Sequence, residues 1–588
     1  MNIRIIREQG FEIKLDLSTQ VLHLDIPEEW ERGESEGQVE AELYPTIGSI
    51  EKESKDFVSA SILVAKARQF DDGLYAAVEY LCQDGTEGFV DKRKLLQQVS
   101  GTLKEIDKEK NVDRGDLNYC RGLINAAADL GGLQITETDE VQKHAEEIKA
   151  DFLSNQLRSK PIGFYTWTND LSNIFKQDRL LQKGFESEDE NKIRLLARAL
   201  SENSNILSDY QAYLSFVRKL TNPFPPEYCD LSQIQDIQSG KSYCFFPPSQ
   251  AHETQLAKRL YGNKPVPDGF SLIDLLIQKI RKREIDLTPK DSSGWCDHQV
   301  YALGPFVNPG AMPETSHLNF SVEYKKELID LFKATIALTR ETHIKQLEVP
   351  ELTGPLDFSR QPIIKIYPEV SVEPVATFYL RRAESYSFVK KLLESTFGQV
   401  TLKNTYRLTA SGKVSTPLWE ELLNMEALFY GTYQVAAEEI GMEIGSQIQE
   451  GNKSVREADK QFARNWISTF ADDVDVGIDN RMMVPVFYDI MRKKTKVWVA
   501  LGYSAKPLSI SFRKGPKVID ITGTKNKSFL SSIIPGRSAR PGLEFEGIHK
   551  QLIYPVSAEV YVDELLDRDE FRALCDKHKT RSAILEAL

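Results

Sequence analysis

The sequence predicts an α+β protein with a large mainly helical body, an antiparallel β module at its carboxyl end and a small β unit at its amino end. Three observations carry that prediction. Between about residue 55 and residue 350, apolar residues recur at three- and four-residue spacing, the period of amphipathic helices. After Asp479 the period falls to two, the mark of half-buried strands. Glycine- and proline-rich breaks separate these segments, most clearly at Thr221-Asn222-Pro223-Phe224-Pro225-Pro226, where proline cannot continue a helix.

In chain order, Ile3 and Ile5, then Phe11, Ile13 and Leu15, then Val21 to Ile26 cluster or alternate at strand lengths, with Gln9-Gly10 as a turn. Glutamates and glycines over 28–36 interrupt every pattern and read as a solvated linker. Helices are predicted over 73–82, 117–130, 193–200, 321–348, 374–395 and 417–431, with a proline-rich break over 350–362. Four strands follow at 483–490, 495–501, 507–513 and 516–522, joined by connections too short for parallel crossovers. Two more strands, 543–548 and 551–561, and a helix over 563–577 complete the chain. A chain of 588 residues exceeds the roughly 250–300 that one core supports. The expected division is an N-terminal β unit with an acidic linker (1–50), a helical body (51–353), a second helical region (354–478) and the β module with its terminal helix (479–588).

Composition excludes some functions. A net charge of −13 repels polyanions at long range, which disfavours general nucleic-acid binding. No stretch approaches the ~20 apolar residues of a membrane span, and Met1-Asn2-Ile3-Arg4 lacks an apolar signal core. The six cysteines form no C-x-x-C pair, which suits reduced thiols. The expectation is a soluble, cytoplasmic, acidic protein.

Three of the eight histidines, His298, His317 and His343, gather in one segment with Cys296. On the predicted helix, at about 100° per residue, His343 lies among Phe332, Ile336, Thr339 and Leu347 and faces inward, with Arg340 on the same edge. Glu341 falls about 160° away, so it and His343 cannot hold one ion from this helix. An inward histidine serves either as a hydrogen-bonded core group or as a ligand, and the second role needs His298 and His317 to fold over this helix. A divalent metal on His298, His317 and His343 is one candidate chemistry. Nucleophilic attack by Cys296, with His317 or His343 as base and Arg340 nearby, is the other. Other motif fragments fail. His252-Glu253-Thr254-Gln255-Leu256 lacks the second histidine of a zinc-protease helix, and Gly240-Lys241-Ser242 lacks the first glycine of a phosphate loop. The carboxylates Asp472, Asp473, Asp475 and Asp479 do not keep the calcium-loop spacing.

One charge feature opposes the overall balance. Arg513, Lys514, Lys517, Arg537 and Arg540 cluster with few acids between them, a pattern that suits docking of an acidic protein or a small anion.

The order of several motifs resembles a prokaryotic family catalogued only as a domain of unknown function. These are Gly163-Phe164-Tyr165 before a helix, the Trp295 segment, Arg340-Glu341-Thr342-His343 with Lys345-Gln346, and Val372-Glu373-Pro374 leading to Phe378-Tyr379. The β module after Val484 is similar too, so the resemblance spans roughly 160–515. Where that family often carries histidine after the glycine, this chain has Phe164. The resemblance implies a multi-helix body and transfers no activity, cofactor or catalytic residue. Two functional expectations stand: a hydrolase-type enzyme with its site among the His298, His317 and His343 segments, or a non-catalytic scaffold that docks an acidic partner through 513–540.

Overall fold

The computed structural model describes residues 12–16, 21–25, 42–45, 57–261 except 233 and 235, 271–343, 370–444 except 443, 453–512 except 490, 508 and 509, and 551–588. The expected linker at 28–36, the break at 350–362 and the strands at 516–522 and 543–548 lie outside these residues. The architecture is a helical body with a carboxyl-terminal antiparallel sheet of three strands and small strand pairs elsewhere. At the amino end Glu12–Asp16 and Val21–Asp25 pair antiparallel, Glu12 opposite Asp25.

The body is organised around the helix Ala60–Asp84. The Ser59 side chain accepts from the Ile62 amide at its start, and Gly85, at φ 74°, ends it in a conformation only glycine adopts without strain. It is buried along nearly its whole length, as a helix in the middle of a large core must be. Gly73 allows this helix and the Tyr406–Thr409/Gly412–Pro417 hairpin to meet, since a Cβ there would run into the Leu408 carbonyl. Lys92–Ile106, Asn169–Leu181 and Val322–His343 pack against it. Ala376–Phe397 and Leu418–Glu439 stack on each other and extend the same core, with Trp295–Ala302 against the first of them. Ser321, the expected cap, accepts from the Tyr324 amide and starts the 322–343 helix.

The carboxyl-terminal sheet has Lys494–Pro507 in its centre, flanked by Met482–Asp489 and Gln551–Val562, all antiparallel. Here the structure departs from the expected sequential meander. The turn placed at 502–506 is absent, because Gly502, at φ 126°, carries the strand onward through a bulge opposite Val556 and Ser557. The segment expected as a third meander strand instead sends Ile510–Phe512 to pair with Leu318–Phe320 in the body. One sheet face joins the main core through Val484, Trp498 and Tyr554. The other, with Met483, Val497, Val499 and Leu501, is covered by Phe571, Cys575 and Ile584 of the two terminal helices. The expected helix over 563–577 is shorter, Arg568–Cys575, opened by a capping box between Asp567 and Glu570. No helix among the described residues is long and apolar enough to cross a membrane.

Candidate functional site

The three histidines of the sequence reading are engaged separately. The segment holding Cys296 and His298 is a helix, Trp295–Ala302, so a two-residue spacing sends their side chains to different faces rather than to one. His298 is half-buried and stacks on Phe388, with ring centroids 4.2 Å apart. Burial lowers its pKa. His317 is half-buried after the short turn Pro313–Ser316, its amide bonded to the Glu314 carbonyl. His343 is 2% exposed, on the inward arc its spacing assigns. Its Nε2 lies 2.9 Å from Gln299 Oε1, and its Nδ1 meets the Tyr75 hydroxyl. Among the described residues no group of three or more His, Cys, Asp or Glu side chains is placed to hold a metal ion. Cys296 is buried, and burial first, then Asp297 and Glu253, pushes its thiol well above the usual range, the opposite of what a thiolate nucleophile needs. Arg340 forms a buried ion pair with Glu253 and donates to the Val486 carbonyl over 3.1 Å. Arg513, Lys514, Lys517, Arg537 and Arg540 lie outside the described residues.

Glu341 departs from the wheel argument, since it is as buried as His343. The last turn of its helix is enclosed on all sides, and Glu341 ion-pairs with Arg68 across the body. Arg68 belongs to a polar seam that the sequence reading missed. Along the Ala60–Asp84 helix, Arg68, Asp72, Tyr75, Glu79 and Gln83 recur at three- and four-residue spacing, and all are buried. Arg68 also pairs with Asp72 and reaches Thr342. Beside the seam, Asp71 accepts from Arg382, from the Tyr386 hydroxyl at 3.0 Å and from the Gln299 amide at 3.1 Å. Farther along, Gln83 bonds Gln177.

Where the seam passes Tyr75 and Glu79 it opens on a cavity with about 60 Å³ accessible to the centre of a water molecule. At ~10–15 Å³ per water, that is room for a few waters or a small ligand. Tyr75 and His343 stand in its wall, as do the carboxylates Glu79 and Asp178, while Phe216, Phe246 and Pro247 contribute apolar surface. Behind the carboxylates is Lys92, 1% exposed, 2.9 Å from Asp178 and 3.2 Å from Glu79. Tyr165 donates to Glu79 from the side. Burial would lower the Lys92 pKa, but Asp178, Tyr213 and Glu79 outweigh it and hold the ammonium. Burial pushes Asp178 up to about 6, with Glu79 adding to the rise and Lys92 opposing it. A partly open, largely apolar cavity with one acid poised near neutrality can exchange a proton with whatever it holds.

Two neighbouring features frame the cavity. Asp297 accepts from Ser293 at 2.7 Å and pairs with His252 at 3.0 Å, and its amide meets Asn222 next to Thr221 of the cavity wall. A second cleft, about 50 Å³ on the same measure, lies between 156–166 and 565–568, with Lys160, Glu341 and Arg568 in its walls. Gly163, at φ 59°, sits against the Glu341 carboxylate, where a Cβ would collide with it. The acidic run that suggested a calcium loop has other partners: Asp473 and Asp475 bind Lys66, and Asp475 also binds Arg407.

No family model matches this chain, and no curated protein and no solved structure matches it either.

Proposed function

We propose that the Tyr75/Glu79/Asp178/His343 cavity is the working site and that the protein is an acid–base enzyme of the hydrolase type. One observation carries the reading. A carboxyl group raised to about 6 by burial faces a small, partly open cavity, with a second carboxylate and an ammonium beside it. General acid–base catalysis works best with a group whose pKa lies near the operating pH. Asp178 is the proton donor and acceptor in this reading. Glu79, fixed by Tyr165 and Lys92, adds to the rise that burial sets, and Tyr75, bonded to Leu220 and His343, stands in the same cavity wall. The apolar walls, with no Lys or Arg among the described wall residues, favour a small, uncharged substrate with an apolar body. His343 enters as a hydrogen-bonding group, not as a metal ligand, and Cys296 as a core thiol.

None of the six cysteines is in a disulfide, in keeping with a reducing, cytoplasmic setting. Docking of an acidic partner rests on the sequence charge of 513–540 alone.

A panel of small chromogenic esters, amides, phosphates and glycosides tests the reading across pH 5–8. The expected result is turnover whose pH profile bends near 6, lost by roughly 10²-fold or more in Asp178→Asn and kept in Cys296→Ser. Turnover surviving Asp178→Asn, or no turnover of any class, would remove the proposal.

A further inference from the structure

Counting hydrogens along the buried chain behind the cavity gives a result that does not depend on what the cavity binds. The Tyr75 hydroxyl lies 2.6 Å from the Leu220 carbonyl oxygen, which can only accept. Tyr75 therefore spends its single proton there and presents a lone pair to His343 Nδ1, so Nδ1 must carry a hydrogen. On the other side of the ring, Nε2 faces Gln299 Oε1 at 2.9 Å, and Gln299 Nε2 donates to Asp71 Oδ2 at 3.1 Å. With the amide in that orientation Nε2 needs a hydrogen too, and His343 is an imidazolium beside an ionised Asp71. Turning the Gln299 amide by half a rotation reverses both contacts. Its NH₂ then donates to a bare Nε2, and its oxygen faces Asp71, which must be the carboxylic acid.

The two arrangements contain the same atoms and the same net charge, and differ in the turn of the Gln299 amide and in whether one proton sits on ring Nε2 or on Asp71. Both hold one proton more than a neutral imidazole with an ionised carboxylate. Without that proton, Tyr75 must turn to Nδ1 and leave the buried Leu220 carbonyl without its hydroxyl partner.

We infer that Asp71, Gln299 and His343 form a one-proton reservoir behind the cavity, and that its loading sets whether the Tyr75 hydroxyl points to Leu220 or to His343. Tyr75 and His343 line the cavity, whereas Gln299 and Asp71 act through them and are positioning residues. Use of the reservoir by the cavity rests on the acid–base reading above; the proton count does not. In the loaded state the stored proton rests on Asp71. Burial raises the Asp71 pKa against the pull of Arg382, while burial, then Arg382 and Arg68, holds the His343 imidazole well below its usual range. Among the described residues, the charged and titratable groups around the chain are Arg68, Asp72 and Glu79 on its own helix, Glu341 beside His343, Arg382 and Tyr386 on Ala376–Phe397, Cys296 and Asp297 on Trp295–Ala302, and Arg568 paired to Glu341.

The test is nitrogen NMR of the full chain labelled with ¹⁵N-histidine, with the His343 signal identified by its change in Tyr75→Phe. Near neutral pH the wild type should show a proton bonded to Nδ1 and none on Nε2. On raising pH until the reservoir empties, the proton should move to Nε2. In Asp71→Asn, whose amide supplies the missing donor permanently, Nδ1 should keep its proton at every pH at which the protein is folded. A bare Nδ1 in the neutral wild type overturns the inference, and so does an Asp71→Asn ring that switches with pH as the wild type does. Should Asp71→Asn not fold, the wild-type switch alone decides, because a ring held only for packing keeps one tautomer across the range.

Discussion

The two halves of the Ala60–Asp84 helix carry the same kinds of side chain to different ends. Toward its start, Arg68 meets Asp72 and Glu341, and Arg568 approaches Glu341 to 3.7 Å, so two guanidinium groups face two carboxylates. Toward its end, Lys92 meets both Glu79 and Asp178, so among these groups one ammonium faces two carboxylates. The first cluster holds as many guanidinium groups as carboxylates. In the second, burial lifts Asp178 to about 6, and the single ammonium of Lys92, shared with Glu79, opposes the rise without cancelling it. Burial of charge does not by itself distinguish a scaffold from a site; charge balance and adjoining space do.

The largest effect should come from breaking the balanced cluster. Arg68→Met leaves Asp72 and Glu341 buried without their main cation, and should cost ~3–5 kcal/mol of stability in denaturant unfolding. A loss below ~1 kcal/mol would mean that Arg568 alone carries the pair and that the two halves are not so different.

At the unbalanced cluster the same kind of deletion should behave oppositely. The folded Asp178 pKa of about 6 lies above its unfolded value near ~3.9, so the folded state binds this proton more tightly. Its contribution to stability is therefore full below pH ~3.9 and is lost as pH rises through 6. Two pKa units correspond to about 3 kcal/mol. Asp178→Asn keeps the shape and removes the titration. Relative to wild type it should gain stability between pH 4 and pH 7, read as the difference between two unfolding curves. A parallel pH dependence of the two proteins would end the reading of Asp178 as the raised acid.

Space gives a smaller, independent handle. Val78 lines the cavity, and Val78→Phe has somewhere to put its added carbons, so it should cost under ~1 kcal/mol. A comparable enlargement at the buried Ala67, beside Arg68, should cost ~1–3 kcal/mol through overpacking. Equal costs would show that the cavity is not available to a side chain.

Much of this arrangement was legible in the sequence where one local rule decided it. Ser321 as a cap, the start of a helix just after Pro374, and His343 on the inward arc follow from spacing and capping chemistry. The seam was less visible because Arg68, Asp71, Asp72, Glu79 and Gln83 read as a solvated face on any helix considered alone. Their recurrence beside apolar runs such as Ile62–Ala65 and Ala76–Val78 was the usable signal, since a helix mostly apolar on its other faces leaves little side for water. Glu341 failed for the related reason that a wheel shows directions and not what covers them; helix 60–84 and the carboxyl-terminal segment enclose both sides. The eight-residue helix around Cys296 and His298 is too short for a period to emerge. The final sheet strand comes from 551–562 because the Gly502 bulge prolongs its partner, and no local pattern reports a pairing so distant along the chain.

The smallest expected effect concerns His252 and Asp297, which Asn222 links to Thr221 of the cavity wall and which present a third kind of balance, one histidine to one carboxylate with partial exposure. Burial tends to lower the His252 pKa, but its hydrogen bond to Asp297, the charge of Asp297 and that of Glu253 outweigh it and raise the pKa. A histidine whose folded pKa is raised contributes stability that is fully present below its unfolded pKa near ~6.5 and disappears as pH climbs through the folded value. With both partners partly exposed, the contribution should be that of a surface-type pair, ~0.2–1 kcal/mol. Asp297→Asn should therefore lower the His252 pKa in an NMR titration and remove that increment on the acid side only. If the mutation instead shifts the titration of Asp178, the pair is coupled to the cavity carboxylates, and the site extends from Glu79 through Thr221 and Asn222 to His252.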